Sequence, residues 1–184
     1  MTTTVVTIAI VLVAGLAFQA LRAWLEMRGT RLVTCPETRA PAAVEVDLGH
    51  FALTSAAGLR ELRLRDCSRW PEKRRCGQAC LAEIEEAPHC CLVRDLLGRW
   101  YEGKSCTLCG RPIAPVRWHD HKPAFKAADD RIWEWAEIPA EQLPTFLTRA
   151  RAVCWSCMIV EGFRHDHPDL FIERPRSPRP ATRH

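Results

Sequence analysis

The sequence predicts a small α+β domain, rich in cysteine and stabilised by metal, preceded by one transmembrane α-helix. Three observations carry that expectation. Ten Cys fall within 184 residues, four of them in Cys-x-x-Cys pairs, and the chain's long apolar run stands at its N-terminus. After an anchor and a tail there is room for one domain of roughly 130–140 residues. A core that small, with seven Trp, gains from cross-links that supplement hydrophobic burial.

The run Val5-Val-Thr-Ile-Ala-Ile-Val-Leu-Val-Ala-Gly-Leu-Ala-Phe-Gln-Ala-Leu21 carries no charge and extends past Arg22 to Leu25. About 20 helical residues at ~1.5 Å each match a hydrocarbon layer of ~30 Å. Arg22 is near enough to the end to snorkel, and Trp24 suits the interface. A cleaved signal would bring a basic start and a small-residue cleavage site. Met1-Thr2-Thr3-Thr4 has no basic residue, and Phe18 and Leu21 fall where small residues belong. Arg22, Arg28, Arg31 and Arg39 all follow the run. The positive-inside bias therefore puts residues 1–4 outside and the Cys-rich domain in the cytoplasm. A reducing compartment favours metal ligation over disulfides.

Beyond the helix at 5–25, residues 26–43 read as a linker and 44–103 as a Cys-rich subdomain. Alternation predicts short strands at Val44–Leu48 and Leu62–Arg65. Helices are expected over Cys76–Ala87, ending before Pro88, and over Cys91–Trp100. Val116–His119 and Ile132–Ile138 read as strands joined by a loop at 121–130. Pro139–Arg151 reads as a helix with early Glu and late Arg, matching the helix dipole. The last segment, 174–184, alternates Pro with Arg and is expected to be disordered. Its four Arg account for the whole net charge of +4, leaving 22 basic and 22 acidic side chains in the rest. A balanced body gives no electrostatic footprint for nucleic acid. Membrane lipid and other membrane subunits are the expected partners.

Cys106-Thr-Leu-Cys109-Gly110 and Cys154-Trp-Ser-Cys157 are the strongest chemical signals. Two intervening residues let both sulfurs of a pair meet one ion, and Gly110 can take a left-handed turn. Residues 104–173 thus resemble a zinc ribbon, in which two knuckles clamp one zinc. The resemblance implies Cys106, Cys109, Cys154 and Cys157 as ligands. Met158 stands where the second knuckle would have Gly, and the gap between pairs is long for a compact ribbon. A rubredoxin-like iron site, a redox-active dithiol and buried free thiols are the other readings. His follows neither pair, which disfavours haem attachment.

Upstream, Cys35, Cys67, Cys76 and Cys80 form a candidate second site for zinc or an iron–sulfur cluster. Cys76 and Cys80, four apart on the expected helix, would share a face; the familiar ferredoxin spacings are missing. Adjacent Cys90 and Cys91 suit one tetrahedral ion poorly, so one of them is expected in the core. Each Cys pair is followed by His-Asp-His, giving His119/His121 and His165/His167. These are candidate ligands or supports of ligands, with packing and strand capping as the simpler role. The Trp residues are expected to fill the core. No phosphate loop, dinucleotide fingerprint, Gly-x-Ser-x-Gly or His-Glu-x-x-His occurs. The leading expectation is a non-catalytic, membrane-held zinc scaffold or accessory subunit. An electron-transfer or thiol-redox protein is the alternative, followed by a metal-dependent hydrolase.

Overall fold

A computed structural model describes residues 2–70, 72, 75–119 and 122–170. Helix α1 (Thr2–Met27) is long and apolar enough to cross a membrane, and none of its most apolar stretch is buried. Its last turns behave differently. Ala23 and Met27 are each only 3% exposed and belong to the first hydrophobic core. The helix therefore runs straight into the folded domain.

Arg31 makes that junction. It is fully buried, an expensive place for a cation, and its two terminal nitrogens are satisfied although its Nε is not. One guanidinium nitrogen donates to the carbonyls of Met27 and Gly29, and the other to that of Glu26 at 3.1 Å. These are the carbonyls that the end of a helix leaves without partners, where the dipole favours positive charge. The end of α1 is thus capped by a residue of the first strand.

The segment 26–43, expected as a linker, contains that strand and the start of the next. β1 (Arg31–Thr34), β2 (Pro41–Val46) and β3 (Leu64–Cys67) form an antiparallel sheet in that order. Along β2, Ala42, Val44 and Val46 point inward by simple alternation. The strand expected at Val44–Leu48 stops early because Asp47 caps a helix instead. Its side chain accepts from the His50 N–H at 3.0 Å and opens α2 (Leu48–Ala56), whose Phe51 plugs the core against α1. Leu62–Arg65 becomes Leu64–Cys67. The helix expected from Cys76 begins only at α3 (Leu81–Glu86), because Gln78 adopts φ 53°, a left-handed conformation that no helix continues through. The expected helix at Cys91–Trp100 is α4 (Val93–Tyr101).

α4 starts the second half. Leu97 and Tyr101 lie buried against a second antiparallel sheet, β5 (Ile132–Glu134), β4 (Ala124–Lys126) and β6 (Arg151–Val153), in that order. Four expectations fail here. Val116–His119 forms no strand: it lies in a proline-bounded stretch, with Trp118 edge-on to Trp135. The central strand β4 comes from the segment expected as a loop. Ile132–Ile138 is strand only to Glu134, where a reciprocal cap between Glu134 and Glu137 winds the chain into a 3-10 turn. Pro139–Arg151 holds only a 3-10 turn and a short helix, α5 (Leu143–Leu147). Pro144 in its first turn has no N–H to continue a longer helix from Pro139. α6 (Trp155–Asp166) follows β6 directly.

The two halves are stitched where β1 meets the start of α4. Leu32 donates to the Cys91 carbonyl at 2.8 Å and Val93 to that of Thr30 at 3.1 Å. Trp100, Trp118, Trp133 and Trp135 pack against the second core and Trp70 against the first. Cys91 is buried in the first core while Cys90 is exposed. The tail at 174–184 lies outside the described residues.

Arg31→Ala is expected to destabilise the detergent-solubilised protein by about 3 kcal/mol, because it strands helix carbonyls and opens a hole in the core. Arg65→Ala breaks a solvent-facing pair with Glu45 and should cost less than about 1 kcal/mol. Thermal unfolding of both variants checks this; an Arg31 variant that melts like the parent refutes the capping role.

Candidate metal centre

Cys106 sits in a tight turn closed by two backbone bonds. Its N–H donates to the Arg111 carbonyl and its carbonyl accepts from Gly110, both at 2.8 Å. Gly110 takes φ +73°, a conformation that costs other L-residues roughly 1–2 kcal/mol. Ser105 and Pro112 bridge across the base of the turn. This is the knuckle expected for the first pair. It is docked on the second sheet by Thr107, whose N–H donates to the Ala152 carbonyl of β6 at 2.9 Å.

β6 delivers the other pair. Cys154 follows its last residue in an extended conformation and serves as N-cap of α6, with Cys157 in the first turn. The second pair is therefore a helix N-terminus, not a second knuckle. The physical reason is Met158: no residue after Cys157 can readily supply the left-handed turn, whereas a helical turn seats Met158 in the apolar floor beneath the sulfurs. That floor holds Ala124, Val153 and Met158 beside Cys106. A helix N-terminus also favours thiolates through its dipole and free N–H groups.

The four sulfurs of Cys106, Cys109, Cys154 and Cys157 all lie within 4.8 Å of one another. A tetrahedron with metal–sulfur arms of about 2.3 Å has edges of about 3.8 Å. Cys109 Sγ and Cys154 Sγ are 3.8 Å apart, far too long for a disulfide. The donor set and spacing thus fit a tetrahedral thiolate site for an ion such as zinc, closed by protein on all four corners.

Electrostatics within the cluster run as expected for sulfurs crowded together. Burial opposes the Cys106 thiolate, yet backbone groups of Cys154, Cys109 and Leu108 hydrogen-bond its sulfur and hold the thiol down at about 6. Burial and the neighbouring sulfurs push Cys157 well above the ordinary thiol range. Burial also raises Cys154. One sulfur takes the negative charge readily, and two resist until a cation compensates them.

The expected histidines are not among the four clustered residues. His119 is exposed in the turn after Trp118, and His121 lies outside the described residues. His165 is eleven residues along α6 from Cys154, roughly 16 Å at the helical rise, and its ring faces Asp166 at 3.4 Å in solvent. His167 rests on the Phe163 ring at 4.7 Å. Upstream, Cys35, Cys67, Cys76 and Cys80 line one cavity. Sequence reasoning missed that Cys154 starts a helix, although Trp155, Met158 and Ile159 already show helical spacing. Compared with known proteins, the chain matches no family model, no curated protein and no solved structure.

Zinc binding is expected to release protons and to weaken on acidification. The raised thiols of Cys154 and Cys157 hold their protons at neutral pH and must lose them to ligate. Competition against a chromophoric chelator, repeated from mildly alkaline to mildly acidic buffer, measures this. A zinc affinity that does not fall as pH is lowered contradicts the assignment.

Proposed function

We propose that the chain is a membrane-anchored zinc protein that acts as a scaffold or accessory subunit of a membrane complex, without catalysis of its own. The closure of the centre carries this reading. Four cysteine sulfurs meet all the coordination needs of one tetrahedral ion, leaving no position for water or substrate, as in zinc sites that serve folding. A hydrolytic or Lewis-acid role would need an open corner.

The anchor is supported by the way α1 ends. A helix whose last turns form core, with a buried Arg31 capping its carbonyls, is part of the domain it leads into. The uncharged segment before it has nothing to bury against except lipid. Exposed Arg22 and half-buried Arg28 lie at the domain end of the helix, and the positive-inside bias places that end in the cytoplasm. Reduced thiols and zinc ligation follow from that placement.

The partner-facing surface is read from α6. Ile159, Val160 and Phe163 are each about half exposed, at 49%, 48% and 48%, on the helix whose first turn supplies two ligands. An apolar stripe held rigid by the metal suits a protein partner.

Chelation is expected to unfold the second half of the domain, lowering the melting temperature and dispersing the tryptophan fluorescence of Trp100, Trp118, Trp133 and Trp135. Zinc carries folding energy in such a site. A chelated, metal-free sample with unchanged melting sinks the scaffold reading. A purified protein with visible thiolate-to-iron absorption replaces zinc with an electron-carrying centre.

A further inference from the structure

The turn at Cys35 repeats the Cys106 knuckle bond for bond. Cys35 N–H donates to the Ala40 carbonyl at 2.9 Å, as Cys106 does to that of Arg111. Arg39 N–H donates to the Cys35 carbonyl at 2.7 Å, as Gly110 does to that of Cys106. Arg39 takes φ 53° where Gly110 takes +73°. Thr34 pairs with Pro41 across the base, as Ser105 pairs with Pro112. The two sequences align without a gap: Thr34-Cys-Pro-Glu-Thr-Arg-Ala-Pro41 against Ser105-Cys-Thr-Leu-Cys-Gly-Arg-Pro112. Backbone groups of the second and third residues after the cysteine hydrogen-bond the sulfur in each turn, Glu37 and Thr38 for Cys35, Leu108 and Cys109 for Cys106. At the place of Cys109 stands Thr38, whose hydroxyl also bonds the Cys35 sulfur. Arg39 is a non-glycine residue held in a left-handed conformation, which a free loop would relax.

Three further cysteines line the cavity beside this knuckle, less tightly clustered than the downstream four. Cys67 ends β3 opposite Val44 of β2, and its neighbour Ser68 exchanges two hydrogen bonds with Ala43, at 2.8 and 3.0 Å. The loop from Cys76 to Cys80 is pinned to the same sheet by Gln78, whose side-chain oxygen accepts from Leu64 N–H at 3.0 Å. Cys80 precedes α3, and Glu83 of that helix accepts from Thr34 N–H at 2.9 Å, next to Cys35. Cys80 lies within the electrostatic field of Cys67, Cys76 and Cys35 together. The four cysteines line one cavity of about 80 Å³. The indole N–H of Trp70 and the Nε–H of Arg69 belong to the residues lining the same cavity, and both atoms are buried with no hydrogen-bond partner. Buried donors without acceptors are costly, and metal-bound thiolates are acceptors.

We propose that Cys35, Cys67, Cys76 and Cys80 bind a second zinc ion, with Cys35 presented by a knuckle that lacks a second cysteine and Cys76 completing the set. The arrangement shares two features with the first centre: a knuckle at a hairpin supplies sulfur, two there and one here, and one cysteine immediately precedes a helix. Cys90 and Cys91 take no part, the first exposed and the second buried beside Arg31 in the core. The proposal does not depend on what the protein docks with.

Elemental analysis of the full-length, detergent-purified, reduced protein tests it, together with alkylation mapped by mass spectrometry. Two zinc per chain are expected, falling to one in Cys35→Ser/Cys67→Ser and to one in Cys106→Ser/Cys109→Ser, and staying at two in Cys90→Ser. In the unaltered protein, iodoacetamide should modify Cys90 at once, and Cys35, Cys67, Cys76 and Cys80 only after chelator is added. That readout needs no variant to fold. One zinc per chain, lost in Cys106→Ser/Cys109→Ser, with the upstream four alkylated in the zinc-loaded protein, overturns the second site and leaves the first standing. No bound zinc overturns both. Iron in place of the second zinc, or Cys35 disulfide-bonded, also overturns the proposal.

Discussion

Four sulfur atoms from two chain segments occupy a volume in which they cannot all carry charge unaided. That constraint organises the second half of the molecule. The segments are held there by ordinary means: the Cys106 knuckle hangs on β6 through Thr107, β6 pairs with β4, and β6 runs directly into α6. Repulsion among thiolates at these separations would spread the segments apart, because little else covers this end of the sheet. The apolar layer beneath is thin, with four buried residues including Cys106 itself. A divalent cation bound there would convert the repulsion into a cross-link. It would replace hydrophobic mass that a domain of this size lacks.

The first half meets the same shortage by different means. Its core borrows residues from the apolar helix α1: Ala23 and Met27 pack with Phe51, Val44 and Ile84. Arg31 then satisfies the carbonyls where the helix would otherwise fray, and only three residues separate it from Cys35. Apolar helix, helix cap, first strand and first knuckle are one continuous path. The Arg31–Leu92 bridge extends it to α4, whose Tyr101 hydroxyl donates to the Ala124 carbonyl of β4 at 2.8 Å. β4 lies between β5 and β6, so the path ends at the metal centre.

What the sequence made legible was chemistry more than shape. A Cys-x-x-Cys pair followed by Gly announces its own turn, since the spacing and the left-handed residue are both local. The partner pair could be chosen from residue types, but its setting could not. Whether Cys154-Trp-Ser-Cys157 forms a turn or opens a helix depends on Met158 finding an apolar floor, which is tertiary information. The same holds for Arg31, which reads as one more flanking positive charge and proves to be a buried cap. Strands were misplaced where polar residues decide matters locally: Asp47 captures an N–H and ends β2, and Glu134 and Glu137 cap each other and end β5. Gln78 delays α3 by taking a left-handed conformation for which its residue type gives no warning.

The Cys35 turn shows most clearly why the rest stayed hidden. Pattern reading looks for two cysteines per knuckle, and Thr38 breaks the pattern, so the segment passes for linker. Backbone geometry does not require the second sulfur. It requires a hairpin base, a left-handed residue four positions after the cysteine, and N–H groups turned toward Sγ, and residues 34–41 supply all three. A threonine hydroxyl is isosteric enough to keep the turn closed by bonding the sulfur it faces. The two halves of the domain are therefore related where their cysteine counts disagree, and the likeness lies in hydrogen bonds that no spacing rule records.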